Sequence, residues 1–268
     1  MKRPITEHAR RLLAQAIPAM VVEIKSTQGA TPRDKGTAML VTAETVHGSI
    51  GGGRMEWDAI NTARKLLKSR DKNEHVLDVA LNAYQGREGH LRLRIGVLTQ
   101  SRLLNIEAFE TMEEAAMPTV LLFGAGPVGQ SLMKALAPLP LHSRWIEDRQ
   151  HFAAGEEVVQ TPHVLDEVAK APAHSAFAVM TYSPTLDHLI CASVLERGDF
   201  AYLGVVGSEA RKQNLVASFR QLQIPEAQIA RIACPMGGAR LDKRPEVIAA
   251  LAAAEILLAL APQSEPPL

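Results

Sequence analysis

Cysteine is almost missing from this chain: Cys191 and Cys234 are the only two in 268 residues, far apart and outside any CxxC pair. That excludes a disulfide scaffold and a cysteine-based zinc site, and it fits a reducing compartment. Net charge is missing as well. Lys and Arg number 29 against 29 Asp and Glu, so no overall field draws the chain to nucleic acid or to an anionic membrane. Long apolar runs are also missing. The richest stretch, Val247 to Ala261, carries Glu255 and is too short for a membrane span. The start, Met1-Lys2-Arg3-Pro4, leads into an amphipathic segment with Arg10 and Arg11 rather than the apolar core of a signal peptide. The expected location is cytoplasmic, with no membrane and no nucleic acid among the partners.

What is present belongs to a globular chain. Hydrophobic residues make up 47% and charged residues 22%, and the length leaves room for two domains of ordinary size, each with its own core. Hydrophobic periodicity and turn residues predict a helix from Thr6 to Ala16, a strand from Met20 to Ile24 and a turn-rich loop from Ser26 to Gly36. Strands from Met39 to Thr42 and Val46 to Ile50 follow. Met55, Ile60, Ala63, Leu66 and Leu67 recur at helical spacing, so Gly51-Gly52-Gly53 is a strand-to-helix turn. Strands from His75 to Leu81 and Leu91 to Leu98 precede an acidic stretch, residues 107–118, expected to be a partly helical linker between an N-terminal domain, 1–106, and a C-terminal one, 119–262. Residues 263–268 are expected to fray.

The second half alternates apolar runs with helix-length segments, as a parallel sheet covered on both faces requires. Strands are expected at Thr119 to Phe123, Ser143 to Glu147, Ala176 to Thr181 and Ala201 to Val206. Helices are expected at Pro127 to Leu136, Thr185 to Arg197, Glu209 to Gln221 and Arg244 to Leu260. The fold class is therefore α/β: an N-terminal mixed α/β domain followed by a C-terminal Rossmann-like parallel-sheet domain.

Three turns have the composition of ligand-binding backbone. Val120-Leu121-Leu122-Phe123 runs straight into Gly124-x-Gly126-x-x-Gly129 with a helix behind it, the context that turns a glycine pattern into a dinucleotide fingerprint. Glu147 and Asp148 close the next strand, where an acid takes ribose hydroxyls in such folds; Glu147 ends the hydrophobic run directly. Gly48 to Glu56 holds the glycine triplet, whose amides would face whatever sits at the helix start. Gly207-Ser208 opens a third helix, with Ser208 as its N-cap and Arg211 and Lys212 as cations for a bound anion. In the loop after the third strand, Tyr182, Asp187 and His188 are the available acid or base groups, and Asp187 and His188 have the positions of caps or solvated residues. Cys234, beside Pro235 and Gly237, reads either as a soft ligand or reactive thiol or as an inert buried cysteine, while Cys191 lies on an apolar helix face.

Gln28 to Gly36, Gly48 to Glu56, the Gly124 fingerprint with Trp145 to Arg149, Tyr202 to Ser208 and Cys234-Pro235-Met236-Gly237, in that order, resemble the xanthine dehydrogenase accessory protein family (XdhC/CoxI) from about residue 20 to 260. The resemblance implies a molybdenum cofactor (molybdopterin) chaperone without turnover of its own. It would protect the cofactor during sulfuration by a cysteine desulfurase and deliver it to a xanthine dehydrogenase-type molybdenum hydroxylase, working as a homodimer and holding the cofactor between its domains. Its cofactor-binding residues would be Gly51, Gly52, Gly53, Glu56, Gly124, Gly126, Gly129, Glu147, Gly207, Ser208 and Cys234. Glu56 stands either for a hydrogen-bond acceptor to the pterin edge or for a charge complementing the helix dipole. The chain departs from the family at Tyr182 and Pro184, where many members have histidine, and at Arg54, where some carry cysteine. A dinucleotide at the Rossmann site, and with it an NAD(P)-dependent oxidoreductase, is the alternative.

Overall fold

Val21 and Val22, side by side in sequence, are both buried, so the strand that carries them is covered on both faces. That strand, β1 (Met20–Gly29), is the centre of an antiparallel sheet in the order β3-β2-β1-β5-β4, with β2 (Ala38–Val41), β3 (Val46–Gly48), β4 (His75–Ala80) and β5 (Gly89–Val97). Met20, Val22 and Ile24 join Met55, Ala59 and Ala63 of helix α2 (Gly53–Ser69) in one core. Val21 and Leu40 face the other way, onto Ala9 and Leu12 of α1 (Ile5–Ala14) and Leu103 and Ile106 of α3 (Gln100–Ala115). The computed structural model describes residues 5–81, 89–149, 158–238 and 242–261; the expected frayed tail, 263–268, lies outside them. The chain divides into two compact units, the first through Ala116 and the second from Met117 onward.

Two expectations for the first unit need correcting. The turn-rich loop was to begin at Ser26, but β1 continues to Gly29, because after a bulge between Ile24 and Ser26 the strand keeps pairing with β5 as far as Gly29 opposite Gly89. The acidic stretch 107–118 is not a linker over most of its length. It is the second half of α3, tied to its own unit by Glu110, which accepts hydrogen bonds from the amides of Ile5 (2.6 Å) and Thr6 (3.2 Å), and by Glu107, which pairs with Arg10. Phe109 closes over Gly36, whose φ is +95° and whose missing Cβ leaves room for that ring.

The second unit is a six-stranded, wholly parallel sheet in the order β11-β10-β9-β6-β7-β8. Its strands are β6 (Thr119–Phe123), β7 (His142–Glu147), β8 (Val158–Gln160), β9 (Ala176–Val179), β10 (Tyr202–Val205) and β11 (Ile232–Ala233). Counted within the unit this is 3-2-1-4-5-6, the doubly wound order that places a crevice where the winding reverses, between β6 and β9. Leu121 and Phe123 face a core shared with α5 (Val164–Lys170), α6 (Pro184–Arg197) and α7 (Glu209–Gln221). Val120 and Leu122 face the opposite core with α4 (Pro127–Leu136) and α9 (Pro245–Leu260). The short elements β8, α5, α8 (Glu226–Ile229) and β11 were not anticipated: each is at most seven residues long, too few to show a period.

Candidate functional site

The glycine fingerprint leaves β6 at its carboxyl end, beside the winding reversal. A Cβ built on Gly124 would run into the carbonyl oxygen of Met180, and one on Gly129 into that of Gly124, so both glycines are demanded by tight packing. Gly126 differs: a Cβ there would meet nothing within 4 Å, which leaves its backbone open to close approach. These are the roles of the three glycines in a pyrophosphate-binding turn. A cleft of about 410 Å³ opens here, lined by the 126–129 turn, Arg149, the loop from Met180 to Tyr182, Asp187, Val206 and Arg211. A larger hollow, about 510 Å³, lies between α1 and α3; it is wide open and holds none of the glycine turns, so the cleft at the fingerprint is the better candidate.

Glu147, at the end of β7, is 1% exposed. Its Oε2 accepts from the amide of Ala125 (2.8 Å) and from Arg149 Nη2 (2.8 Å), and its Oε1 accepts from Arg149 Nε (2.9 Å) and the Arg149 amide (3.2 Å). Burial pushes the carboxyl up, but the Arg149 fork and the two amides outweigh it and hold the group at about 2. The carboxylate that was to take ribose hydroxyls thus spends one oxygen on the glycine turn and on Arg149, and the other on Arg149 alone. Asp148, the next residue, is less fully engaged. Its Oδ2 accepts from the Tyr182 hydroxyl at 3.3 Å, while its Oδ1 is buried without a hydrogen-bond partner. Burial and the adjacent Glu147 carboxylate raise its pKa. The Arg149 guanidinium lies 4.9 Å from the centre of the Tyr182 ring, a ring that is 60% exposed.

The three acid or base candidates are all engaged. Asp187 is neither a solvated residue nor a plain cap: it is 1% exposed, accepts from the amide (2.9 Å) and hydroxyl (2.6 Å) of Thr181, and pairs with Arg211. Arg211, expected to hold an anion, is drawn to that carboxylate, and Gly207 lets its side chain fold back over the turn. Ser208 caps α7 as expected, accepting from the Arg211 amide at 3.3 Å. His188 is within 2.7 Å of Ser218 Oγ and stacked on Phe219. Ser183, which the sequence reading passed over, caps α6; a serine directly before Pro184 was the available signal.

Cys234 lies in the bend directly after β11, with its side chain turned inward. It is 4% exposed, in the same core cluster as Cys191, and burial pushes both thiols up. Cys234 is therefore a buried core thiol.

In the first unit the glycine triplet takes the conformation expected of a strand-to-helix turn. Gly51, Gly52 and Gly53 have φ of 127°, 79° and 70°, which only glycine adopts in succession without strain. Glu56 folds back from the first turn of α2. Its Oε2 accepts from Ser49 Oγ (2.6 Å) and from the amides of Ile50 (2.9 Å) and Gly52 (3.0 Å). Several amides that were to face a ligand are thus held by Glu56 and, at Gly51, by Ser49 Oγ at 3.2 Å. Pro32 packs under Gly51, while a Cβ at Gly52 would point into open space. Trp57, 63% exposed, stands on the next part of the helix.

Among the described residues no cluster of histidine, cysteine and carboxylate groups has metal-holding form, and no helix is long and apolar enough to cross a membrane. Residues 120–256 match the XdhC Rossmann domain, and residues 12–79 match the XdhC and CoxI family. No curated protein matches the chain. Among solved structures, a xanthine dehydrogenase from Bacillus halodurans, determined by crystallography at 2.80 Å, is similar at a TM-score of 0.70 and 16% identity, over 98% of each chain. At that identity the likeness speaks for the fold.

Proposed function

Since the chain belongs to the XdhC and CoxI family, its Rossmann domain alone matching from residue 120 to 256, we propose that it serves the maturation of a xanthine dehydrogenase-type enzyme by holding molybdenum cofactor and handing it on. Association with such an enzyme follows from the family. The finer steps, shelter during sulfuration by a cysteine desulfurase, delivery to the hydroxylase and homodimeric work in the cytoplasm, are part of the same reading.

The observation that carries it is the Glu56-pinned triplet. Three left-handed glycines in a row give a surface with no side chains, and the Glu56 and Ser49 bonds keep it from collapsing. Such a surface suits a ligand that must be gripped through its edges and later released. Glu56 here acts on the loop first: it sets the backbone that the cargo would meet.

Turnover is a poorer fit. A hydride-transfer enzyme needs an acid or base beside the acceptor, and Tyr182, Asp187 and His188 are each bonded to a neighbouring side chain. The deciding experiment is mass spectrometry and metal analysis of protein made in cells competent for cofactor synthesis. Stoichiometric molybdopterin is expected, with loss of most of it in Glu56→Ala. Substrate-dependent hydride transfer by protein lacking molybdopterin would favour the oxidoreductase instead.

A further inference from the structure

Trp57 is the only tryptophan of the first unit, and it stands 63% exposed just past the glycine triplet that leads into its own helix. From this we infer that Trp57 is the stacking face for a planar heteroaromatic ring, and that Arg33 and Arg54 receive the phosphate the same ligand carries. The inference deepens the cargo reading and takes its ligand from it: it names the side chains that would grip a phosphorylated pterin at the Glu56-pinned turn.

The packing of α2 does not call for an indole at this position. The helix turns Met55, Ala59 and Ala63 into the core, and Trp57 falls on the side away from them, where a polar residue would serve. Tryptophan is on average a well-buried residue. Among the described residues Trp57 makes no ring contact and no hydrogen bond; Tyr182, the other strongly exposed aromatic, has Arg149 against its ring. A long side chain on a helix leans toward the amino end and over the preceding turn, which here is the turn that starts at Gly53. The triplet leaves room beside it, since a Cβ on Gly52 would meet nothing within 4 Å. An exposed indole next to bare glycine backbone makes a flat-sided ledge, and stacking suits any aromatic ring because each has a π-face.

Two arginines flank the ledge. Arg54 directly follows the triplet, its side chain 80% exposed and its Nε 3.9 Å from Asp58 Oδ2, the outer limit of an ion pair and one that water screens. On the other side of the turn, Arg33 is exposed, and its Cγ lies 3.9 Å from the place a Cβ on Gly51 would take. The carboxylate of the turn, Glu56, is already spent on Ser49 and on the amides of Ile50 and Gly52. With those amides taken, the indole and the two guanidinium groups carry the recognition, not the start of the helix. A guanidinium matches the oxygens of a phosphate in pairs.

Fluorescence titration of the full chain with 6-hydroxymethylpterin phosphate tests this, with 6-hydroxymethylpterin and inorganic phosphate as controls. The chain has two tryptophans, and Trp145 is 8% exposed in the second unit, so quenching is expected to come from Trp57. Trp57→Phe should lose most of the quenching and still bind when calorimetry reads the titration. Trp57→Ala should bind about tenfold more weakly, with an unchanged thermal midpoint. Arg33→Gln combined with Arg54→Gln should weaken the phosphate ester about tenfold and leave the unphosphorylated pterin unaffected. The same variants made in cells competent for cofactor synthesis separate this assignment from the cargo reading. Equal molybdopterin in the native chain and in Trp57→Ala would overturn the assignment while the cargo reading stands, and would leave Trp57 to a protein partner. A native chain without molybdopterin that still shows Trp57-dependent quenching would sink the cargo reading and support the assignment. Undiminished quenching in Trp57→Phe, or no binding of the pterin phosphate, would also overturn it.

Discussion

Glu147 and Asp148 show how far two adjacent side chains of the same charge can differ. Glu147 is held by Arg149 and by amides of two residues; Asp148 keeps a bare buried oxygen. The pH dependence of stability follows from the first of these. Glu147 has its folded-state carboxyl lowered from an ordinary 4.5 to about 2. Its contribution is therefore complete above about 4.5 and lost as pH falls toward about 2. Denaturation midpoints measured across that window should fall in the native chain, and Glu147→Gln should remove this part of the fall while lowering stability at pH 7. The cysteines make a second residue-scale case. With both thiols buried and shifted upward, neither should react with a maleimide at pH 7.5 in the folded protein, and both should react in denaturant. Rapid labelling of native Cys234 would contradict its place in the core.

At the scale of elements, α3 carries the clearest prediction. Its Glu110 carboxylate stands at the amino end of α1 and receives the Ile5 and Thr6 amides, which have no acceptor within their own helix. Glu110→Ala should cost about 1–2 kcal/mol, the size of a lost N-cap, read as a lower denaturation midpoint; no change would show that water replaces the contact at no cost. Long elements were legible in advance because their period is written along the chain. Pro127–Leu136 and Glu209–Gln221 have the bounds their apolar spacing predicted. The acidic half of α3 was misread for a physical reason: only Leu103 and Ile106 are buried on that helix, and its attachments are carboxylates and Phe109 reaching distant partners, which leave no apolar stripe to count.

On the scale of the whole molecule, the chain is two units with separate cores. A fragment of residues 117–268 is expected to fold alone, with one cooperative thermal transition and the Glu147 acid dependence intact; a fragment without such a transition would show that the second core depends on the first unit.

The strand, turn and helix around Gly124 were determined by the sequence alone, because glycine's lack of a Cβ and the apolar run before it act locally. The two-domain α/β architecture was legible for the same reason, as alternation and period add up along the chain. Tertiary structure decided which site residues are left open. Glu147 meets Ala125, 22 residues away, Asp187 meets Arg211, 24 away, and Cys234 turns into a core built from α6 and α7. A carboxylate's capacity to take a ligand depends on how many donors already surround it, and those donors are assembled only when the sheet brings distant turns together.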